Sequence, residues 1–227
     1  MPVALISGGA GTLGVAAAQR LVQDGWTVAL ADIDLAAAER AAKSLGANTS
    51  AVQMDVTKLS QVQDGVASVA KRYGRVDAVI AAAGGRTGAN VGAFTEAPVE
   101  TWMQIIELHL TGVLNLYYAT LPFMREKRNG ALIAISSVEA YRGLPDSAVY
   151  STAKAAVGVL TQTLVRECQP DNISVNSIIP PTKESLLKSG RNDAHAFVAE
   201  AVAFLLSEKA VLTTGAALDC SNGWALH

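Results

Sequence analysis

The sequence predicts an α/β protein: a doubly wound parallel sheet with helices on both faces, three layers deep, in a single domain. Three observations predict it. Short apolar, β-rich runs alternate with longer helical patterns along the chain. Those runs are almost continuously apolar, as strands buried on both faces are. The 227 residues are 50% hydrophobic and 17% charged, enough for one sizeable core and unlike a disordered chain.

The elements follow in order. Val3–Ser7 reads as a strand, Leu13–Gln23 as a helix and Thr27–Asp32 as the second strand. A helix over Leu35–Leu45, a strand over Ala51–Met54 and a helix over Leu59–Arg72 come next. Ala78–Ala82 is the fourth strand and Val99–Met124 a long helix. Ala131–Ser136 and Ile173–Ile178 are strands on either side of a helix over Val149–Cys168. Pro180–Asn192 is polar and without period, which predicts a mobile loop. Ala196–Ser207 makes a last helix and Ala216–Asp219 a short last strand. No repeat or linker divides the chain, so residues 1–227 are expected to form one unit with a short substrate loop at about 180–195.

The net charge of −2 is spread along the chain. No basic block marks a nucleic-acid or anionic-membrane surface. No apolar run approaches the roughly 20 residues of a membrane span. The first residues enter a strand pattern without a charged leader, so a cytoplasmic protein is expected. Cys168 and Cys220 have no metal-like neighbours at short spacing. No metal is expected, and the two read as free thiols, with a disulfide as the alternative.

In such a sheet ligands bind beyond the carboxyl ends of the strands, at the switch in strand order. Ser7-Gly8-Gly9-Ala10-Gly11-Thr12-Leu13-Gly14 lies between the first strand and the first helix. Glycines there permit positive φ and close approach to a pyrophosphate, and the following helix aims free N–H groups at that anion. By itself this is also what a tight turn looks like. Asp32 ends the second strand, eighteen residues after Gly14, where an acid can accept hydrogen bonds from a ribose diol. A 2′-phosphate would be repelled there. Asp34 adds to that repulsion, and no Arg or Lys stands nearby, which favours NAD over NADP. Asp55, after the third strand, has two readings: contact with an adenine edge, or a cap over Thr57–Leu59.

Tyr150-Ser151-Thr152-Ala153-Lys154 opens a long helix. Residues four apart share a helix face. A free phenol has a pKa of about 10, and a fixed cation beside it favours the phenolate. The pattern alone is common. Upstream, Ile133-Ala134-Ile135-Ser136-Ser137 carries a strand to its end and places Ser137 where its hydroxyl can donate to a carbonyl or alkoxide oxygen.

The glycine loop, Asp32, Asp55, Ser137, Tyr150 and Lys154 together resemble the short-chain dehydrogenase/reductase family, in its compact single-domain branch. Ser137 stands thirteen residues before Tyr150, as in the family pattern. Gly74-Arg75-Val76-Asp77, Leu110-Thr111-Gly112-Val113, Ile173-Ser174-Val175-Asn176-Ser177-Ile178 and Thr214-Gly215-Ala216-Ala217-Leu218-Asp219 extend the likeness over nearly the whole chain. The resemblance implies a Rossmann fold and an NAD-dependent oxidoreductase that interconverts a secondary alcohol and a carbonyl by hydride transfer. Tyr150 would be the general acid/base, with Ser137 holding the substrate oxygen. Lys154 would act on Tyr150 and the nicotinamide ribose. The cofactor would be lined by Ser7, Gly8, Gly11, Thr12, Leu13, Gly14, Asp32, Ile33, Asp55, Val56, Ala83, Gly84, Tyr150, Lys154 and Pro180. A homo-oligomer, tetramer or dimer, is also implied, with Trp224 and the tail to His227 as candidates for an interface.

The chain departs from the family pattern at four places. Thr12 stands at the usual middle glycine, where its bulk would crowd the diphosphate or its hydroxyl would bond it. Ala81-Ala82-Ala83-Gly84 lacks the usual asparagines. His109 replaces the asparagine counted as a fourth catalytic residue. Its main-chain carbonyl can still hold a water beside the lysine, and the alternative is a packed helix histidine. Pro180-Pro181 replaces Pro-Gly and opens a short segment to His195. Glu139, Tyr141, Arg142 and Leu144 follow Ser137, and Arg86 and Asn90 follow Gly84, as candidates for substrate contact. A surface role is the other reading of each. These departures motivate an alternative function: a non-catalytic nucleotide-binding or regulatory protein on the same scaffold.

Overall fold

A computed structural model describes residues 1–84, 92–188, 190 and 193–225. Seven strands form one parallel sheet in the order β3-β2-β1-β4-β5-β6-β7. They are β1 (Val3–Ser7), β2 (Thr27–Asp32), β3 (Thr49–Gln53), β4 (Ala78–Ala81), β5 (Gly130–Ile135), β6 (Ile173–Ile179) and β7 (Ala217–Asp219). The helices are α1 (Thr12–Gln23), α2 (Leu35–Leu45), α3 (Leu59–Tyr73), α4 (Val99–Ile106), α5 (Gly112–Lys127), α6 (Ala148–Cys168), α7 (Lys183–Lys188) and α8 (Ala194–Leu205).

Period-2 alternation splits the core in two. Val3 and Leu5 of β1 pack with Val62 and Val66 of α3, Leu116 and Tyr117 of α5 and Val157 of α6. Ala4 and Ile6 point the other way, to Ala17 and Leu21 of α1, Ala38 of α2 and Val198 and Val202 of α8. Three layers result, and strand order switches at β1, which pairs with β2 on one side and β4 on the other.

Local chemistry fixes the ends. Asp34 caps α2, accepting from Ala37 N at 2.9 Å. Gly74 closes α3 in the left-handed region, φ 75°. Asp77 holds the β1–β4 seam, accepting from Val3 N at 2.7 Å and from the Arg75 guanidinium.

Three expectations are corrected. Residues 99–124 are not one regular helix: a π turn over Glu107–Thr111 separates α4 from α5. Such turns widen the helix by one residue and occur at functional sites. The region 180–192 is not all loop. Thr182 Oγ1 accepts from Ser185 N at 3.0 Å and starts the short helix α7. The last helix starts at Ala194 rather than 196, because Asp193 accepts from His195 N and Ala196 N. His195 therefore belongs to α8, not to a loop. Both cysteines are free, Cys168 buried and Cys220 partly so. Among the described residues, no helix is long and apolar enough to cross a membrane.

Candidate active site

At the carboxyl edge of the sheet a groove runs across the switch point. Its first half is a cavity of about 420 Å³ lined by the glycine loop, Asp32, Ile33, Asp55, Val56, Ala83 and Gly84. Its second half, about 380 Å³, is lined by Ser137, Tyr150, Lys154 and Pro180, with Pro181, Thr182 and His195. Thr12, Leu13, Ala82 and Ala83 line both, so the halves are continuous. Each lies within the roughly 300–1,000 Å³ of small-molecule sites.

The floor of the first half is built by main-chain packing. Gly8 has φ 66°, and a Cβ there would stand 2.7 Å from Ala83 Cα. Gly14 is closed off in the same way by the Gly8 carbonyl. Gly8→Ala is therefore expected to lower stability by about 1–3 kcal/mol, through the left-handed φ and the backbone clash. Urea unfolding of the two proteins measures it. This cradle of bare backbone, opening at the start of α1, fits a phosphate-bearing dinucleotide.

Asp32 is oriented by two main-chain donors, Ala10 N at 3.0 Å and Asp34 N at 3.1 Å. Ile33 beside it is 66% exposed, an apolar face for a base. Asp34 turns its carboxylate into the α2 cap. Asp55 lines the cavity, and one of its oxygens accepts from Thr57 N and Thr57 Oγ1 at 2.9 and 2.8 Å, a local turn just before α3, whose first turn it does not cap. Ser7 lies beneath the groove rather than in its wall, buried, with Oγ accepting from Ala83 N at 3.4 Å.

In the second half, Tyr150 is 4% exposed and Lys154 5%. The Lys154 ammonium lies 5.8 Å from the Tyr150 ring centroid and donates to Ile135 O at 2.8 Å. Burial alone lowers its pKa to about 8. Ser137 Oγ accepts from Glu139 N at 3.2 Å, which leaves its own proton for a ligand. His109, fully buried on the π turn, meets the Tyr150 ring edge-on at 4.9 Å. Gly84 gives it room: a Cβ there would stand 2.7 Å from His109 Nδ1.

Residues 2–195 match the family described as short chain dehydrogenase. The chain belongs to that family. Short-chain dehydrogenases are oxidoreductases, and this one is an oxidoreductase acting on CH–OH groups. Over 97% of its length it is 30% identical to a 3-oxoacyl-[acyl-carrier-protein] reductase of Thermotoga maritima, covering 96% of that protein. It is also 30% identical to a 2-dehydro-3-deoxy-L-rhamnonate dehydrogenase (NAD(+)) of a Sphingomonas strain, over 97% of this chain and 94% of the relative. Among solved structures, a 3-ketoacyl-(acyl-carrier-protein) reductase from Brucella melitensis, complexed with NADH, superposes with a TM-score of 0.92 at 27% identity, covering 99% of this chain and 98% of the other.

Glu139, Tyr141 and Arg142 lie outside the groove wall. Glu139 is buried and accepts from Ser147 Oγ. Tyr141 is half-exposed toward Asp219; burial first, then that carboxylate, pushes its phenol pKa up. Arg142 stacks on Trp224 at 5.3 Å, with Lys188 on the same indole at 5.1 Å. Trp224 thus packs within its own chain. Arg86, Asn90 and His227 lie outside the described residues. Sequence reasoning missed His195 and Thr182 as groove residues. The signal that could have found His195 is Asp193, a residue type suited to a helix N-cap, whose cap places His195 in the first turn of a helix that starts at the groove edge.

Proposed function

We propose that this short-chain dehydrogenase is NAD-dependent and interconverts a secondary alcohol and a carbonyl, with Tyr150 as general acid/base. One observation carries the reading: a single groove has Asp32 at one end and Ser137, Tyr150 and Lys154 at the other. When bound, the nicotinamide supplies or takes up the hydride. The chain's own groups do the rest. Ser137 donates to the substrate oxygen, Tyr150 exchanges the proton with it, and Lys154 keeps N–H groups for the cofactor ribose while its charge favours the phenolate. The His109 main-chain carbonyl holds a water beside the lysine. Glu139, Tyr141 and Arg142 shape the substrate end from behind the groove wall.

The preference for NAD follows from the held Asp32 carboxylate, which meets a diol well and a phosphate badly. A relative whose name specifies NAD(+) supports it. Exposed Leu114 and Tyr118 on α5 and Val159 on α6 support a homo-oligomer, dimer or tetramer. A cytoplasmic setting suits the free thiols.

Fluorescence titration with NADH and NADPH, followed by a panel of secondary alcohols and ketones, tests the reading. NADH is expected to bind more tightly than NADPH, and Asp32→Ala to narrow that preference at least about tenfold, the scale of a lost charge-assisted hydrogen bond. Equal affinity in the unaltered protein overturns the NAD assignment. Tight NADH binding with no turnover on any substrate favours a non-catalytic nucleotide-binding role.

A further inference from the structure

Thr12 and His195 are 183 positions apart, yet Thr12 Oγ1 and His195 Nε2 are 3.1 Å apart. The packing of α1 against α8 brings them together: both helices begin at the same edge of the sheet, and Arg20 of α1 bonds Glu200 of α8 at 2.8 Å farther along the seam. Thr12 lies where the two halves of the groove meet, and His195 lines the second half. The pair therefore stands over the passage joining the Asp32 end to the Tyr150 end.

A dinucleotide reaching from Asp32 to Tyr150 carries its diphosphate through that passage. The charges of the lining set a requirement there. Among the described residues that line the two halves, only Lys154 and His195 have side chains able to carry positive charge. Lys154 is held at the far end by Ile135 O. The Asp193 carboxylate, the nearest acid in sequence, is turned into the start of α8 by His195 N and Ala196 N. Thr182 Oγ1 is engaged at the start of α7. At the passage itself the side chains left to join the main-chain cradle of the glycine loop in facing the phosphates are the Thr12 hydroxyl and the His195 imidazole, each now bonded to the other.

We propose that Thr12 and His195 form a clasp on the cofactor diphosphate, exchanging their bond to each other for donor bonds to phosphate oxygens. This rests on the dinucleotide reading above. It also gives the residue at position 12 a purpose: a hydroxyl there hands the phosphates to an imidazole that a glycine would leave unanchored.

The test compares ADP-ribose, which carries both phosphates, with adenosine, which carries none, by calorimetry. The unaltered protein, His195→Ala, His195→Gln and Thr12→Ala are compared. His195→Ala is expected to weaken ADP-ribose and NADH about tenfold, the scale of one hydrogen bond to a charged group, and to leave adenosine unchanged. His195→Gln, which keeps an N–H donor, recovers most of that loss. Thr12→Ala weakens ADP-ribose severalfold. The His195 side-chain NMR resonance shifts with ADP-ribose and stays in place with adenosine, which a merely structural role would not produce. If NADH binds and His195→Ala leaves ADP-ribose affinity unchanged, the clasp is wrong and the cofactor reading stands. If the unaltered protein binds neither NADH nor ADP-ribose, both fall.

Discussion

Tyr150→Phe is expected to lower turnover about a thousandfold while leaving NADH affinity within about twofold. The substitution removes one oxygen and keeps the ring. That ring is buried, and its edge contact with His109 survives, since it needs only the aromatic carbons. The fold is therefore retained. In the proposed mechanism the lost O–H exchanges a proton with the substrate oxygen, and general acid/base catalysis is worth about 10²–10⁴ in rate. A thousandfold is about 4 kcal/mol of transition-state stabilisation. Ser137 and Lys154 do not replace it. Ser137 has a much less acidic hydroxyl, and Lys154 is tied to Ile135 O. Steady-state rates on a turned-over alcohol, with NADH titration and thermal unfolding of both proteins, separate the possibilities. Full activity in the variant would remove Tyr150 from the chemistry. Parallel loss of NADH binding and stability would make it a packing residue instead.

The fold was legible because its determinants are local. β1, β2 and α2 have the bounds that periodicity gives, with Asp34 capping α2 and Gly74 closing α3 as their chemistry allows. The π turn at Glu107–Thr111 was hidden, because one residue of slippage barely disturbs a helical pattern of apolar residues, yet it buries His109 against Tyr150. α7 was hidden for the opposite reason: six residues are too few to show a period. Which side chains share the groove is legible wherever spacing within one element fixes it, as for Tyr150 and Lys154. Residues placed by the fold as a whole are not. Ser7 reads as lining and lies beneath the floor. Glu139, Tyr141 and Arg142 read as substrate contacts and face Ser147, Asp219 and Trp224 instead. His195 meets Thr12 only because two distant helices pack side by side.

Lys154→Met is expected to abolish most activity and yet stabilise the protein near neutral pH. Burial lowers the Lys154 pKa from 10.5 to about 8, so folding disfavours its charged form. The direction of the pH dependence follows from proton counting. Below about pH 8 the lysine is protonated both folded and unfolded, and the natural protein carries the whole burial penalty, on the order of 3 kcal/mol. Between about 8 and 10.5 the unfolded chain holds the proton and the folded chain does not, so stability rises with pH. Above that range both forms are neutral and the penalty is gone. Methionine matches the length of the lysine stem and never carries the charge. It leaves Ile135 O without its donor, at about 1 kcal/mol. The net gain at pH 7 is about 2 kcal/mol, shrinking toward pH 10 and changing sign as the lysine becomes neutral. Urea unfolding of both proteins across pH 6–10 measures that difference directly. A gap independent of pH would mean that the ammonium is not desolvated as its burial implies. Higher stability with lower activity in one variant is what a charge held for chemistry, against the preference of the core, should produce.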